Sequence, residues 1–187
     1  MPIAVPQSVE SPLTRAAIFI VVTVKPGDEA LDTVRDVCGG MAGLIRAVGF
    51  RNPDAQLSCV MGIGADLWDR LGQPNRPKGL HPFRAISGVY DAPSTPGNIL
   101  LHIRAQRVDF CFEMAMQVML QLGDAVELQD ETPGFKYFDD RDLLGFVDGT
   151  ENPSGQALDE AVVIGDEDPD FAGGAYVITQ KYMHDMA

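Results

Sequence analysis

The chain has little cysteine and no cysteine pattern. Cys38, Cys59 and Cys111 are odd in number, far apart and never spaced C-x-x-C, which excludes a disulfide framework and a cysteine-built zinc site. Such usage suits a reducing cytoplasm. Basic residues are scarce as well: 14 Lys and Arg stand against 27 Asp and Glu, a formal charge of −13. A surface of that sign repels phosphate backbones and anionic lipid, so neither nucleic acid nor a membrane is an expected partner. Long apolar runs are missing too. The best stretch, Ala16–Val24, is well short of the ~20 residues a membrane helix needs. Glu10 precedes it, and Lys25-Pro26-Gly27-Asp28 follows without a small-residue cleavage site, so it reads as a strand rather than a signal sequence. No internal repeat or low-complexity tract is visible.

What is present is enough apolar material for a packed core, 45% of residues, in a chain of one-domain size. Ala16–Val24 is rich in β-branched side chains and nearly continuous in hydrophobicity, the pattern of a strand covered on both faces. Asp28 is placed to cap a helix in which Leu31, Val34, Cys38, Met41, Ile45 and Val48 recur at spacings of three and four until Gly49. Gly39, Gly40 and Gly43 within it suggest close packing on a sheet. Residues 57–63 and 98–105 alternate as two further strands. Val108, Cys111, Phe112, Ala115, Val118, Met119 and Leu122 form the stripe of a second helix, and a fourth strand is expected over 125–129.

The order β-α-β-β-α-β is that of an α+β ferredoxin-like sandwich, a four-stranded antiparallel sheet with helices on one face. This domain is expected over residues 1–131. Its other face then needs cover from the remaining chain, a second subunit or a flat apolar cofactor, and a homo-oligomer is compatible with that need. Two stretches, 72–97 with five prolines and 132–174, read as long irregular loops.

The second of these carries the chemistry. Residues 139–153, D-D-R-D-L-L-G-F-V-D-G-T-E-N-P, crowd carboxylates around Gly145 and Gly149. An acidic surface loop is one reading. A calcium loop is another, because Asp140, Asp142, Gly145, Asp148 and Glu151 fall at EF-hand positions 1, 3, 6, 9 and 12. Against it, Leu144 sits where an oxygen ligand belongs and the Pro- and Gly-rich flanks cannot form the two helices.

The run G-F-V-D-G-T-E-N-P at 145–153 resembles the G-x-x-D-G signature of the dye-decolorising peroxidases, in its bacterial form. The resemblance also covers R-A-A-I-F-I, D-F-C-F-E-M-A, G-F-K-Y-F-D-D-R-D and G-G-A-Y-V-I-T-Q-K-Y-M-H, and so runs almost end to end. It implies two ferredoxin-like halves of a dimeric α+β barrel with haem b between them, and hydrogen peroxide and an aromatic reductant, a dye or phenol, as partners. Residues 132–187 would then be the haem-facing loop and the start of the second half. Asp148 would be the distal acid-base residue, moving a proton from peroxide to the leaving oxygen, which favours acidic conditions. Phe146, Gly149, Thr150, Glu151 and Asn152 would line the haem.

The same resemblance puts the iron's histidine ligand, and an arginine beside the distal aspartate, after Ala187. None of His81, His102 and His184 matches the ligand position, so the chain by itself is expected to be a truncated piece that binds haem weakly and is inactive. Trp68, Tyr90, Tyr137, Tyr176 and Tyr182 read as packing residues ahead of electron carriers, and Met114, Met116 and Met119 as core filling. The alternative from another class is a non-catalytic ferredoxin-like module that binds haem or pairs subunits, with Asp148 only closing a turn.

Overall fold

The computed structural model describes residues 7–186. Four strands form one antiparallel sheet: β1 (Ala16–Val24), β2 (Ser58–Ile63), β3 (Ile99–Ala105) and β4 (Val126–Phe135), in the order β2-β3-β1-β4. Helices α1 (Asp28–Gly49) and α3 (Val108–Leu122) pack together on one face, which is the ferredoxin-like topology. A short helix, α2 (Ala65–Arg70), follows β2, and another, α4 (Gln156–Val162), interrupts the 132–174 stretch expected to be irregular, whereas 72–97 has neither helix nor strand.

The core is built by strand alternation. Ile18, Ile20 and Val22 of β1 and Ile99, Leu101 and Ile103 of β3 point at the helices and are buried, alongside Cys59 and Met61 of β2. From the helices come Leu31, Val34, Val37 and Met41 of α1 and Cys111, Met114, Ala115, Val118 and Leu122 of α3. Burial pushes the Cys59 thiol up to about 12 and the Cys111 thiol to about 11, so both stay protonated at neutral pH. They are packing residues.

Several expectations change. Asp28 does not cap α1; it is the first helical residue, and Gly27 at φ 108° occupies the cap position. Gly39, Gly40 and Gly43 have open space where a Cβ would stand, because the buried stripe of α1 runs along the opposite side. On α3 the expected stripe is buried through Cys111, Ala115, Val118 and Leu122, with Met114 beside them, whereas Val108 and Phe112 at its margin are more than half exposed. Strand β4 is twice as long as expected. Pro133 pairs with Ile18 near its end, which an edge strand tolerates because a missing N–H can face outward.

The sheet's second face is only half covered. Ala17, Phe19, Val21 and Thr23 of β1 are partly buried there, and the remaining chain supplies most of the cover. Residues 8–11 cross it at Arg104, and the segment from Tyr176 to Lys181 spans it. Tyr176 Oη accepts the Gly79 N–H at 2.8 Å, Val177 seats against Gly62, and Lys181 pairs with Asp130 at 2.9 Å.

Candidate active site

Strand β4 delivers the chain to the signature turn. Lys136 N–H donates to Arg15 O at 2.9 Å, extending the pairing by one residue, and its ammonium meets Asp140 at 2.7 Å. Asp139 and Asp140 then adopt left-handed backbone, at φ 53° and 60°, which aspartate tolerates better than most side chains. This reversal starts a small hairpin in which Arg141 and Val147 form an isolated antiparallel bridge.

Asp142 organises the hairpin tip. Its Oδ1 accepts the N–H groups of Leu144 and Phe146, both at 2.9 Å, while its own N–H donates to Phe146 O at 2.9 Å. Gly145 supplies φ +95°, and the Arg141 guanidinium donates to Gly145 O at 2.7 Å. Sequence reading gave Asp142 no role beyond a calcium ligand. The only signal for this one was an aspartate two residues before a leucine and three before glycine, which is too common to single out.

The returning arm carries Asp148. Its N–H donates to Asp140 O at 2.9 Å, and its Oδ1 accepts the Gly149 N–H at 3.0 Å. Its Oδ2 has no hydrogen-bond partner among the described residues. Gly149 has φ +74°, and a Cβ there would stand 2.9 Å from the Asn152 amide, so the turn requires glycine. Asp148, Thr150, Glu151 and Asn152 are exposed, with Phe146 71% and Val147 50% exposed beside them. All six sequence-selected residues thus share one solvent-facing turn.

They do not share a cavity with the sheet. A cavity of about 720 Å³ opens on the second face, floored by Val21, Thr23, Gly62 and Leu100 and closed in part by Val177 and Thr179. None of residues 146–152 lines it. His81 does, with its Nδ1 2.9 Å from Pro82 O, and His102 stacks on Phe19 nearby on the same face. Burial, and secondarily the Arg104 charge, push the His102 imidazole down to about 4. His184 is exposed.

The calcium-loop positions do not converge in this structure. Asp140 is taken by Lys136 and Asp142 by backbone amides, and the described residues contain no group of three or more His, Cys, Asp or Glu able to hold a metal ion. Trp68 is a packing residue: its Nε1–H donates to Asn75 O at 2.8 Å and its ring meets Phe171 edge-on at 5.8 Å. Met116, against expectation, is exposed rather than core. Among the described residues no helix is long and apolar enough to cross a membrane.

Comparison with known proteins agrees with the signature. The family description "Dyp-type peroxidase, N-terminal" matches residues 6–136, and "Dyp-type peroxidase, C-terminal" matches 139–187. A dye-decolorizing peroxidase of Rhodococcus erythropolis is 55% identical over 98% of this chain, which covers 54% of that protein. A variant of DypB from Rhodococcus jostii, solved in complex with heme, superposes with a TM-score of 0.88 at 50% identity, covering 90% of this chain and 55% of that one. The encapsulated DyP-type peroxidase of Mycobacterium smegmatis gives 0.86 at 51% identity, covering 90% and 54%. The chain therefore spans about half the length of the relatives it matches. With the signature turn, the ferredoxin-like sheet and this similarity along nearly its whole length, the chain belongs to the dye-decolorising peroxidase family.

Proposed function

We propose that this chain contributes the distal wall of a haem peroxidase that uses hydrogen peroxide to oxidise dyes or phenolic compounds, with Asp148 as its proton carrier. The observation that carries the reading is the state of that carboxylate. One oxygen is fixed by the Gly149 N–H and the other is unengaged, on a turn flanked by uncovered Phe146 and Val147. Such a group is oriented yet free to exchange a proton, which general acid–base work requires.

The residues present fit one wall of a haem b site rather than a whole pocket. The turn is narrow at Gly149, apolar at Phe146 and polar at Thr150, Glu151 and Asn152, which suits a flat macrocycle with charged propionates. His81 lines the sheet-face cavity, to which residues 146–152 contribute nothing, and His102 stacks on Phe19, so neither is placed where it would hold the iron opposite Asp148. Haem, when bound, supplies the iron at which the O–O bond of peroxide is cleaved. Asp148 Oδ2 takes the proton of the incoming peroxide and hands it to the departing oxygen, so that water rather than hydroxide leaves. Phe146, uncovered here, would lie against the macrocycle when haem is bound and would then keep bulk water from that transfer. The heme complex of the Rhodococcus jostii relative supports this choice of cofactor.

The test joins these 187 residues to the C-terminal half of a relative and compares wild type with Asp148→Ala by stopped-flow reaction with hydrogen peroxide. Loss of at least about a hundredfold is expected for removal of a proton carrier. Equal rates would favour the non-catalytic module. The 187 residues by themselves are expected to bind haem weakly, and a full-occupancy Soret band from them would contradict that.

A further inference from the structure

The signature hairpin is closed on itself, by Arg141 and Asp142 at its tip and by the Arg141–Val147 bridge along its arms. None of those contacts reaches the sheet. The link between sheet and hairpin is the chain reversal at residues 136–140.

That reversal has to be held. Asp139 and Asp140 stand side by side in left-handed backbone, at φ 53° and 60°. Aspartate tolerates this region better than most residues, yet such backbone persists only where neighbouring contacts fix it. Two contacts span the reversal. The Arg141 N–H donates to Tyr137 O at 3.1 Å, and the Lys136 ammonium pairs with Asp140 Oδ1 at 2.7 Å.

Lys136 belongs to the sheet. Its N–H donates to Arg15 O at 2.9 Å, continuing the β1–β4 ladder past Phe135, so its side chain holds Asp140 from a fixed point. Asp140 in turn offers its carbonyl oxygen to the Asp148 N–H at 2.9 Å, and Asp148 Oδ1 accepts the Gly149 N–H at 3.0 Å. The Asp148 carboxylate is thus set, link by link, from Arg15 O through Lys136 and Asp140. We propose that Lys136 is a positioning residue for the peroxide reaction: its ion pair with Asp140 fixes where the signature turn, and with it Asp148, stands relative to the sheet. This rests on Asp148 as the proton carrier. Both partners of the pair are about half exposed, so it contributes little to global stability and acts locally.

The test breaks the pair from each side. In the 187-residue chain, Lys136→Met should leave the urea midpoint nearly unchanged while the Asp148 amide exchanges with solvent about two- to fivefold faster. In the chimera with a relative's C-terminal half, Lys136→Met and Asp140→Asn should each slow the stopped-flow reaction with hydrogen peroxide about tenfold, because a small misplacement of a reacting group is costly. Asparagine tolerates left-handed backbone as aspartate does, so the second variant removes the charge and keeps the turn. The double variant should lose no more than either single one, since both remove the same contact. Lys136→Arg keeps charge and reach and should react as the wild type.

Unchanged exchange at the Asp148 amide, additive losses in the double variant, or a Lys136→Arg as slow as Lys136→Met overturns the positioning role. So do wild-type rates in both single variants while Asp148→Ala is slow, which would mean that the second half holds the turn. A wild-type rate in Asp148→Ala instead removes the proton carrier itself, and the positioning role with it.

Discussion

Phe19 and His102 lie directly opposite each other on β1 and β3, and their rings stack with centroids 4.3 Å apart and planes 15° apart. The pair sits on the sheet face turned away from the helices, two residues along β3 from the buried Arg104. Apolar contact on one side and a cation nearby both disfavour the imidazolium, which is why the ring is held neutral down to about 4.

This pair gives the molecule a pH dependence of definite sign. Unfolded, His102 titrates near its ordinary value of 6.5; folded, near 4. Between these values the unfolded chain binds the extra proton, so stability present above pH 6.5 is lost as pH falls through that window. His102→Phe keeps a ring against Phe19 and removes the titration. Urea midpoints measured at pH 7.5 and 4.5 should fall further in the wild type than in His102→Phe. The carboxylates are common to both proteins and cancel in the comparison.

A second prediction concerns the hairpin that aims Asp148. Asp142 accepts two backbone N–H groups with one oxygen, so Asp142→Ala leaves the Leu144 and Phe146 amides without their acceptor. In water-exposed structure each such bond contributes about 1 kcal/mol. Because the hairpin stands outside the core, the global unfolding midpoint should move little, while exchange at those two amides accelerates. In the chimera with a relative's C-terminal half, peroxide reactivity should drop although Asp148 is intact. Full reactivity would mean that the turn's shape does not aim the carboxylate.

Much of the fold was legible because each regular element writes one period into the sequence. The alternation through Ile18, Ile20 and Val22, or Ile99, Leu101 and Ile103, has a single solution. On helix α3 periodicity found the buried Cys111, Ala115, Val118 and Leu122 but also took in Val108 and Phe112, because the apolar stripe is wider than the face that packs. Strand β4 was cut short because Pro133-Gly134 reads as a turn unless the strand is known to be an edge. Helix α2, with fully buried Leu67, is too short to show a period. At the candidate site, the residues from Phe146 to Asn152 were found through a local motif. Asp142, Lys136 and Arg104 act through contacts that only the folded chain creates.

The exposed margin of the α3 stripe makes a third prediction. Met114 is fully buried between α3 and the sheet, whereas Phe112 is 59% exposed. Met114→Ala should cost about 2–5 kcal/mol through lost burial and the cavity left behind. Phe112→Ala, despite removing more atoms, should change stability by less than about 1 kcal/mol, since those atoms already face water. Chemical denaturation of the two variants separates them, and a cost for Phe112→Ala equal to that for Met114→Ala would show the exposed stripe to be covered in solution.

Two glycines of the sheet-face cavity give the fourth. A Cβ added at Gly62 would meet the Val177 Cγ1 at 2.8 Å, the far end of a side chain on a segment that can shift. A Cβ added at Gly64 would meet the Gly97 carbonyl oxygen at 2.8 Å, and that backbone cannot move easily. Gly64 N–H donates to Asn98 O, Asn98 N–H donates to Val22 O, and the Asn98 side chain accepts the Val24 N–H, all at 2.8 Å. Gly64→Ala should therefore destabilise by about 1–3 kcal/mol as an overpacked site. Gly62→Ala should leave the unfolding midpoint nearly unchanged but displace Val177, so that limited proteolysis cuts faster between Tyr176 and Lys181. Equal destabilisation by both would mean that the segment crossing the open face is held as firmly as the strand ends themselves.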